Sequence, residues 1–219
     1  MNLNLRPATP DDIPTLHRLV ESAYRGETAR KGWTHEADLL GGQRTDADGL
    51  AEIIADPAKT LLLALEGEGL VGCVLVAHQA DGSAYLGMLS VDPDRQAGGL
   101  GRQLMAGAEA FAAETLKAPR MEMTVIRQRA ELIAWYERRG YALTGEIHPF
   151  PLDDERFGLP KRRDLEFVVL AKALRSGQPD RPPASRQALQ LKAVDAFQKW
   201  RVLRGVNHAA PMTLRRMTI

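Results

Sequence analysis

The chain has 219 residues, of which 44% are hydrophobic and 26% are charged, and its net charge is +1. This composition is that of a soluble globular protein, with room for one domain of ordinary size and an appendage. From Ser176 onward, eight Lys/Arg stand against two Asp, a net charge of +6, which leaves −5 for residues 1–175.

Cys73 is the only cysteine, so an intrachain disulfide is excluded. No stretch approaches the roughly 18 apolar residues that a membrane-spanning helix requires. The first residues, MNLNLRPATPDD, lack the basic segment and apolar run of an export signal. We therefore expect a cytoplasmic protein that makes no membrane contact.

Strand-like and helix-like patterns alternate along the first 175 residues. Helices are predicted where apolar residues recur every three or four positions, and strands where short β-rich runs are bounded by turn residues. In chain order, the patterns predict a strand at 3–8, helices at 13–20 and 46–54, strands at 60–66, 70–78 and 83–91, a helix at 99–114, a strand at 121–126, a helix that ends at Gly140, and strands at 141–147 and 164–172. Residues 25–45 show no sustained period and are predicted to form a long loop or a broken helix.

This order, β-α-α-β-β-β-α-β-α-β-β, predicts an α/β fold with one central, mixed and twisted sheet of about seven strands flanked by helices. The predicted sheet ends before Ser176.

The last part of the chain has a different character. SGQPDRPPAS at 176–185 is predicted to be a Pro-rich linker between a domain at 1–175 and a basic helical extension at 186–219. Phe197 and Trp200 lie on one side of the predicted helix. Such a helix packs either on the domain of its own chain or on a partner subunit. If it packs on a partner subunit, a homodimer is expected.

The sequence RQAGGLGRQLM at 95–105 places three glycines where a helix pattern begins. A strand, a glycine-rich turn and a helix N-terminus together present free backbone N–H groups and the positive end of the helix dipole. Glycines also allow close approach and positive φ. Pyrophosphate binding is one interpretation of this junction, and close packing of strand against helix is the alternative.

Two other nucleotide-binding motifs do not fit the junction. A Walker loop requires Gly-Lys-Ser/Thr, whereas Gly101 is followed by Arg102. A dinucleotide fingerprint belongs to the first βα unit, whereas this junction follows the fourth predicted strand.

Two stretches together resemble one family. VDP at 91–93, followed by Gln-x-x-Gly-x-Gly at 96–101, is similar to the acetyl-CoA-binding signature of the GNAT N-acetyltransferase superfamily. AWYERRGYALTGE at 134–146 resembles the second marker of that family. The order of elements from residue 3 to residue 174 also matches the family's fold. The resemblance therefore implies a GNAT-like domain with acetyl-CoA as co-substrate.

The resemblance implies a role for each residue of the first motif. The main chain of Leu89, Ser90 and Val91 would hydrogen-bond the acetyl and pantetheine portions, beside a splay between the fourth and fifth strands. The pyrophosphate would lie against Gln96, Ala97, Gly98, Gly99, Leu100, Gly101 and Arg102. Arg129 stands where the family often has an Asn, seven residues before Tyr136, so the pantetheine contact of that Asn is not carried over.

Acetyl transfer to an amine needs a proton for the departing thiolate and an acceptor for the proton of the ammonium. Tyr136 occupies the position of the family's helix Tyr, and the resemblance implies that it contacts the cofactor and is the general acid. On spacing alone, Tyr136 is equally an aromatic core residue of an amphipathic helix.

The resemblance implies that the segment GWTHE at 32–36 lines the acceptor side of the site, as the corresponding segment does in the family. Trp33, Thr34, His35 and Glu36 are therefore candidates for substrate binding, with Glu36 as the expected catalytic base. His35 and Glu122 are alternative bases, and ordinary solvated loop residues remain the alternative for Glu36 and His35.

Other kinds of chemistry are not expected. The five histidines are far apart in the sequence and no pair has a ligand spacing such as His-x-x-x-His, so no metal is predicted. Ser90 lies in a strand rather than in a nucleophile elbow. The basic extension has no known nucleic-acid-binding motif, so a nucleic-acid partner is not predicted either.

Two long segments are predicted to cover the acceptor, at 25–45 and 148–162, because loops of this length in a compact domain are usually functional. They carry the aromatic residues Trp33, Phe150 and Phe157 beside several carboxylates. That combination favours a pocket for a cation of modest size.

These observations predict an acyltransferase that moves an acetyl group from acetyl-CoA to a small-molecule amine by direct attack. Acetylation of a protein N-terminus or lysine is a second enzymatic hypothesis. A non-catalytic acyl-CoA-binding regulatory module is the alternative from another class. Tyr136 favours the enzyme, because binding alone does not require a proton donor.

Overall fold

The computed structural model describes residues 3–25, 29 and 35–174. Its helices are α1 (Ile13–Tyr24), α2 (Ala47–Ala55), α3 (Leu100–Glu114) and α4 (Ala130–Glu137). Its strands are β1 (Asn4–Pro7), β2 (Leu40–Gly41), β3 (Lys59–Glu66), β4 (Gly69–His78), β5 (Ala84–Val91), β6 (Arg120–Ile126), β7 (Ala142–Pro149), β8 (Leu159–Pro160) and β9 (Glu166–Ala173).

Seven of these strands form one sheet in the order β1-β3-β4-β5-β6-β9-β7. Neighbouring strands are antiparallel except for β5 and β6, which are parallel. The predicted mixed sheet of about seven strands is therefore confirmed, as is the order of its helices and strands.

Helices cover both faces of the sheet. Along β4, Cys73 and Leu75 pack into the core beneath α1 and α2, whereas Val74 and Val76 pack into the core beneath α3 and α4. Alternate side chains of a strand point to opposite faces, so a strand buried on both faces has the nearly continuous apolar sequence seen here.

Side chains cap the 3₁₀ turn that leads into α1 and the start of α2. The Asp12 carboxylate accepts a hydrogen bond from the Thr9 backbone N–H at 2.8 Å in the turn that leads into α1. The Asp46 carboxylate accepts one from the Gly49 N–H at 2.7 Å at the start of α2. These caps matter for function because the end of α1 and the start of α2 both border the cavity described below.

A second, two-stranded sheet joins the two long segments, which the sequence did not predict. Strands β2 and β8 pair antiparallel through Leu40–Pro160 and Gly41–Leu159. Gly158 has a φ of +96°, and a Cβ there would lie 2.9 Å from the Gly41 carbonyl oxygen. Only glycine suits that position, since it combines left-handed backbone with a close backbone approach.

The aromatic residues of the second segment are core residues. Phe150 and Phe157 are 5% and 1% exposed and pack with Leu40 and Phe167 beneath the small sheet. The expectation that they would form an aromatic wall of the acceptor pocket is therefore wrong. Their role is to hold the two segments together by burying apolar surface.

The predicted linker at 176–185 and extension at 186–219 lie outside the described residues. In the part of the chain that is described, no helix has both the length and the apolar character needed to cross a membrane.

Candidate active site

The parallel strands β5 and β6 separate soon after they meet. They pair only at the first two residues of β5, Ala84 and Tyr85. The register against β4 shifts in the middle of the strand, and Met88 has a φ of +50°, which marks a bulge. The predicted splay between the fourth and fifth strands of the main sheet is therefore present. Backbone groups of residues 86–91 on that edge are not paired with β6.

A cavity of about 310 Å³ opens at this splay. Residues of α1, α2, β5, β6 and α4 line it, and the segment that leads into α2 closes one side. The polar residues that line the cavity include Tyr24, Glu36, Arg44, Arg129, Tyr136 and Glu155. The volume is that of a small-molecule site.

Of the three β5 residues expected to contact acetyl-CoA, Leu89 lines the cavity. Its carbonyl oxygen accepts a hydrogen bond from the Tyr24 hydroxyl at 2.8 Å. Ser90 and Val91 are paired with β4, and the Ser90 hydroxyl donates to the Met88 carbonyl oxygen at 3.0 Å. The Ser90 side chain thus stabilises the bulge, and main-chain contacts with acetyl-CoA stay a prediction.

The glycine junction lies directly after β5. Residues Pro93–Gly98 form a 3₁₀ turn, Gly99 has a φ of +74°, and α3 begins at Leu100. Gln96 and Ala97 belong to this turn by their backbone; their side chains lie outside the description. The first N–H groups of α3 have no acceptor within the helix, as at any helix N-terminus.

Close packing does not explain the glycines of the junction. A Cβ at Gly98, Gly99 or Gly101 would meet no atom closer than 4.0, 3.7 and 3.7 Å, which are ordinary contacts. By contrast, a Cβ at Gly107 would lie 2.1 Å from Cδ1 of Leu5, so a larger residue there would displace the Leu5 side chain. The space around the junction therefore favours a site for an anionic group over tight contact between strand and helix.

Arginines add positive charge beside the junction. Arg102 lies in the first turn of α3, and Arg139 stacks on the Trp135 ring with 3.5 Å from guanidinium carbon to ring centroid. The pKa of Arg139 is lowered, first by burial and then by the charges of Arg138 and Arg102. The Arg139 guanidinium is thus repelled by those of Arg138 and Arg102, a repulsion that a bound phosphate would relieve.

Tyr136 lies in α4 and lines the cavity. Its ring makes edge-on contacts with Trp135 and Tyr141 at centroid distances of 5.1 and 6.0 Å. Burial raises the pKa of Tyr136 well above its ordinary value, so the hydroxyl keeps its proton at neutral pH. The residue is thus a core aromatic that also lines the cavity and whose hydroxyl is protonated.

The only thiol of the chain is not a candidate nucleophile. Cys73 is fully buried on β4, where burial raises the pKa of its thiol to about 12. A thiol in this state is inert, because the thiolate is the reactive form. The site therefore suits direct attack by the acceptor rather than transfer through an acetyl-cysteine.

Glu36 is buried at the centre of a group of arginines. Its carboxylate accepts hydrogen bonds from Arg25 at 2.8 Å and from Arg129 at 3.2 Å, and the Arg44 Nε lies 4.0 Å away. Protonation of Glu36 would weaken these charge-assisted contacts. The geometry therefore favours a positioning role for Glu36 over the general base that the sequence suggested.

Neither His35 nor Glu122 is among the described residues that line the cavity. His35 is adjacent to Glu36 and lies 4.0 Å from Asp38, outside the cavity lining. Glu122 on β6 is hydrogen-bonded to Arg120 at 2.7 Å and also lies outside the lining. Trp33 and Thr34 fall outside the described residues.

Sequence reasoning missed two contributors to the acceptor side. Tyr24 ends α1 and, through its hydrogen bond to Leu89, connects that helix to the bulged strand. Arg44 lies in the segment that was predicted to be an irregular loop, where no spacing marks it. Arg129 was visible only as a departure from the family pattern, and the structure gives it a partner in Glu36.

Metal-ligating side chains do not cluster in the described part of the chain. Across residues 3–25, 29 and 35–174, no group of three or more His, Cys, Asp or Glu is placed to hold a metal ion.

Solved structures resemble the whole described domain. A chimera of the spermidine N-acetyltransferase from Vibrio cholerae and hSSAT is 17% identical, with 80% of this chain and 96% of that chain covered and a TM-score of 0.58. The ribosomal-protein-S18-alanine N-acetyltransferase from Escherichia coli is 13% identical, with coverage of 82% and 99% and a TM-score of 0.59. The yncA protein from Salmonella typhimurium, solved with its cofactor acetyl-CoA, is 16% identical, with coverage of 84% and 100% and a TM-score of 0.60.

At these identities the likeness to solved structures shows the fold alone. No curated protein matches the chain. The model of the acetyltransferase (GNAT) family, however, matches residues 16–141, a range that includes the bulged strand, the glycine junction and Tyr136. The match spans more than half of the chain. This protein therefore belongs to the GNAT acetyltransferase family.

Proposed function

We propose that this protein transfers an acetyl group from acetyl-CoA to the primary amine of a small molecule, by direct attack within the cavity at the splay. The observation that carries the proposal is the way in which three features are joined. The edge of β5 that is not paired with β6 lines the cavity together with the buried Tyr136, and the spacious glycine junction follows directly after β5.

The chain's own groups have distinct tasks in this proposal. Acetyl-CoA supplies an activated acetyl group, and its pyrophosphate would bind at the α3 N-terminus beside Arg102. Backbone N–H groups on the edge of β5 would stabilise negative charge on the carbonyl oxygen. The bound ammonium first gives one proton to water, and the neutral amine nitrogen then forms a bond to the acetyl carbonyl carbon. The carbon–sulfur bond breaks as Tyr136 gives its proton to the departing sulfur, and the proton that the new amide nitrogen loses returns to the Tyr136 oxygen.

The location of Tyr136 supports its part in this scheme, because the residue lines the cavity. Burial raises the pKa of Tyr136, so the hydroxyl carries a proton throughout the neutral range. The same burial excludes water, which strengthens electrostatic stabilisation within the site.

The size and cover of the cavity favour a small acceptor over a polypeptide. Its volume of about 310 Å³ is at the low end of the range for small-molecule sites. The sheet formed by β2 and β8 ties the two covering segments together, and Glu155 of the second segment reaches the lining. Known acceptors of structural neighbours include both spermidine and a ribosomal protein, so the fold itself does not decide.

Two measurements on the purified full chain test the proposal. Calorimetric titration with acetyl-CoA is expected to show binding, and a thiol assay is expected to show CoA release when a panel of small primary amines is added. Binding without CoA release for any amine or peptide would point to the non-catalytic module instead. Absence of acetyl-CoA binding would reject both.

A further inference from the structure

The inner wall of the cavity is built around guanidinium groups rather than around a cation site. Arg25, Arg44 and Arg129 surround the single carboxylate of Glu36, and all four side chains are about nine-tenths buried or more. Arg44 and Arg129 line the cavity itself. This arrangement, which the sequence did not predict, bears on what the acceptor carries besides its amine.

Arg44 is held rigidly in this wall. Its backbone N–H donates to the Glu21 carboxylate at 2.6 Å, and the next N–H, from Thr45, donates to the same oxygen at 2.9 Å. The guanidinium carbon lies 4.9 Å from the centroid of the Tyr24 ring. Only 8% of the Arg44 side chain is exposed. Its position is therefore fixed before any ligand enters.

The donors of Arg44 are not satisfied by the described residues. Its Nε is buried without a hydrogen-bond partner, and the nearest carboxylate oxygen, from Glu36, is 4.0 Å away. Both Glu36 oxygens already accept hydrogen bonds, one from Arg25 and the other from Arg129. Because a buried charged donor without a partner is costly, an anionic ligand is the natural partner for Arg44.

Acetyl-CoA does not account for this anion in the proposed arrangement. Its phosphates are assigned to the junction at 93–102, and residues of that junction do not line the cavity. The anion must then belong to the acceptor, which shares the cavity with Arg44.

The opposite charge lies at the edge of the cavity. Asp48, Glu52 and Glu155 line it with side chains that are exposed to solvent. The cavity is thus positive within and negative at its margin. A dication such as a polyamine would place a positive charge beside the guanidiniums, which would repel it. A molecule with both an ammonium and a carboxylate matches the negative margin with the first group and the positive interior with the second.

We propose that the acceptor is an amino acid or a close analogue, a primary amine that also carries a carboxylate, and that Arg44 binds this carboxylate with Arg129 beside it. This inference deepens the proposed function and rests on it. A planar guanidinium matches a carboxylate with two parallel hydrogen bonds, which also fixes the direction in which the amine points.

Matched acceptors test the inference on the wild-type protein. Each set contains an amino acid, its carboxamide and its decarboxylated amine, for example leucine, leucinamide and 3-methylbutylamine. Sets with different side chains are compared, and the set with the highest kcat/KM, measured from CoA release, is the preferred one. Within that set, kcat/KM is expected to be about 10- to 150-fold higher for the amino acid than for its decarboxylated amine. This is the range for a hydrogen bond to a charged group. Equal or higher kcat/KM for the decarboxylated amines overturns the inference while the proposed function stands. The inference is also overturned if no amino acid is turned over or bound, by calorimetry, in the presence of acetyl-CoA.

An Arg44→Gln variant locates the carboxylate. The advantage of the amino acid over its decarboxylated amine is expected to shrink by about 10-fold or more, with acetyl-CoA affinity unchanged. Arg163→Gln is the matched control, because the Arg163 side chain is 81% exposed and is not part of the cavity lining. An undiminished preference in a folded Arg44→Gln variant contradicts the assignment to Arg44. If the variant does not fold, the wild-type acceptor sets alone decide the substrate class.

Discussion

The proposed cofactor site and the proposed acceptor site are assembled in different ways. On the cofactor side, β5, the turn at 93–98 and the start of α3 follow one another along a single stretch of chain. On the acceptor side, Glu36 and Arg129 are 93 positions apart in the sequence and meet only in the fold. The residues of a local motif are close together in the sequence, so the motif can be recognised by its spacing. The residues of a tertiary cluster are far apart in the sequence, so no spacing identifies them. The two sides should accordingly respond to mutation in separable ways.

Tyr136 stands between the two sides, and its substitution is expected to have the largest effect. Tyr136→Phe keeps the edge-on ring contacts and removes only the hydroxyl. The kcat should fall by roughly 10²–10⁴-fold, the range for general acid–base catalysis. Acetyl-CoA affinity, measured by calorimetry, should stay the same. Tyr85→Phe is the control, since the Tyr85 hydroxyl is bonded to Thr124 at 2.7 Å and has no assigned proton transfer. Wild-type kcat in Tyr136→Phe would remove the general acid from the mechanism.

Gly99→Glu breaks the cofactor side alone. The new carboxylate would face the proposed pyrophosphate, and juxtaposed like charges cost several kcal/mol, so acetyl-CoA affinity should fall about 100-fold. The unliganded fold should persist, because no atom lies within 3.7 Å of the added Cβ. Gly82→Glu is a matched control with a φ of +81° in open space. It carries the same backbone strain and charge at a distance from the junction. A folded Gly99→Glu protein with normal acetyl-CoA affinity would reject the cradle.

Glu36→Gln perturbs the acceptor side alone. Loss of the carboxylate charge leaves Arg25 buried without its anion, so the melting temperature should fall. The KM for the amine should rise about 10-fold as Arg44 and Arg129 lose their common neighbour, while acetyl-CoA affinity stays nearly constant. Glu166→Gln, which changes an exposed carboxylate, controls for loss of charge.

The same variant distinguishes a positioning residue from a base. If Glu36 is the general base, Glu36→Gln should abolish the acid limb of the kcat/KM pH profile. If it positions the arginines, the limb should persist at lower amplitude. Persistence is the expected outcome, because its carboxylate is already engaged by Arg25 and Arg129.

Truncation after Arg175 is expected to have the smallest effect on chemistry. The strand β9 ends at Ala173, and all of the described residues that line the cavity precede Ala173. Acetyl-CoA affinity and kcat should therefore be close to those of the full chain, although solubility or oligomeric state can change. Loss of acetyl-CoA binding in a folded truncated protein would show that residues 176–219 belong to the site.

Local patterns predicted most of the fold. The apolar spacing of α1 and α3 reflects burial of one face, and the nearly continuous apolar run of β4 reflects burial of both faces, so the sequence pattern reveals all three elements. The β2–β8 pairing escaped prediction because each strand has only two residues and gains its stability from tertiary contact.

The residues of the candidate site also differ in whether the sequence could predict them. The glycines at 98–101 and Tyr136 could be predicted because they belong to motifs with fixed spacing. Arg44 could not, since its importance comes from burial and from an unpaired Nε, and both are properties of the folded state. The prediction of an aromatic cation pocket was wrong for a related reason. Phe150 and Phe157 are of a residue type that often lines binding pockets, but the fold buries both of them in the core.

The most direct test of the central claim is the fate of the acetyl group. The wild-type chain is incubated with acetyl-CoA and the best amine from the acceptor sets, and mass spectrometry follows the amine, the protein and CoA together. One N-acetylated amine is expected for each CoA released, with no acetyl group left on the protein. Tight acetyl-CoA binding without acetylated amine, or acetyl groups that accumulate on the protein itself, would contradict direct transfer within this cavity.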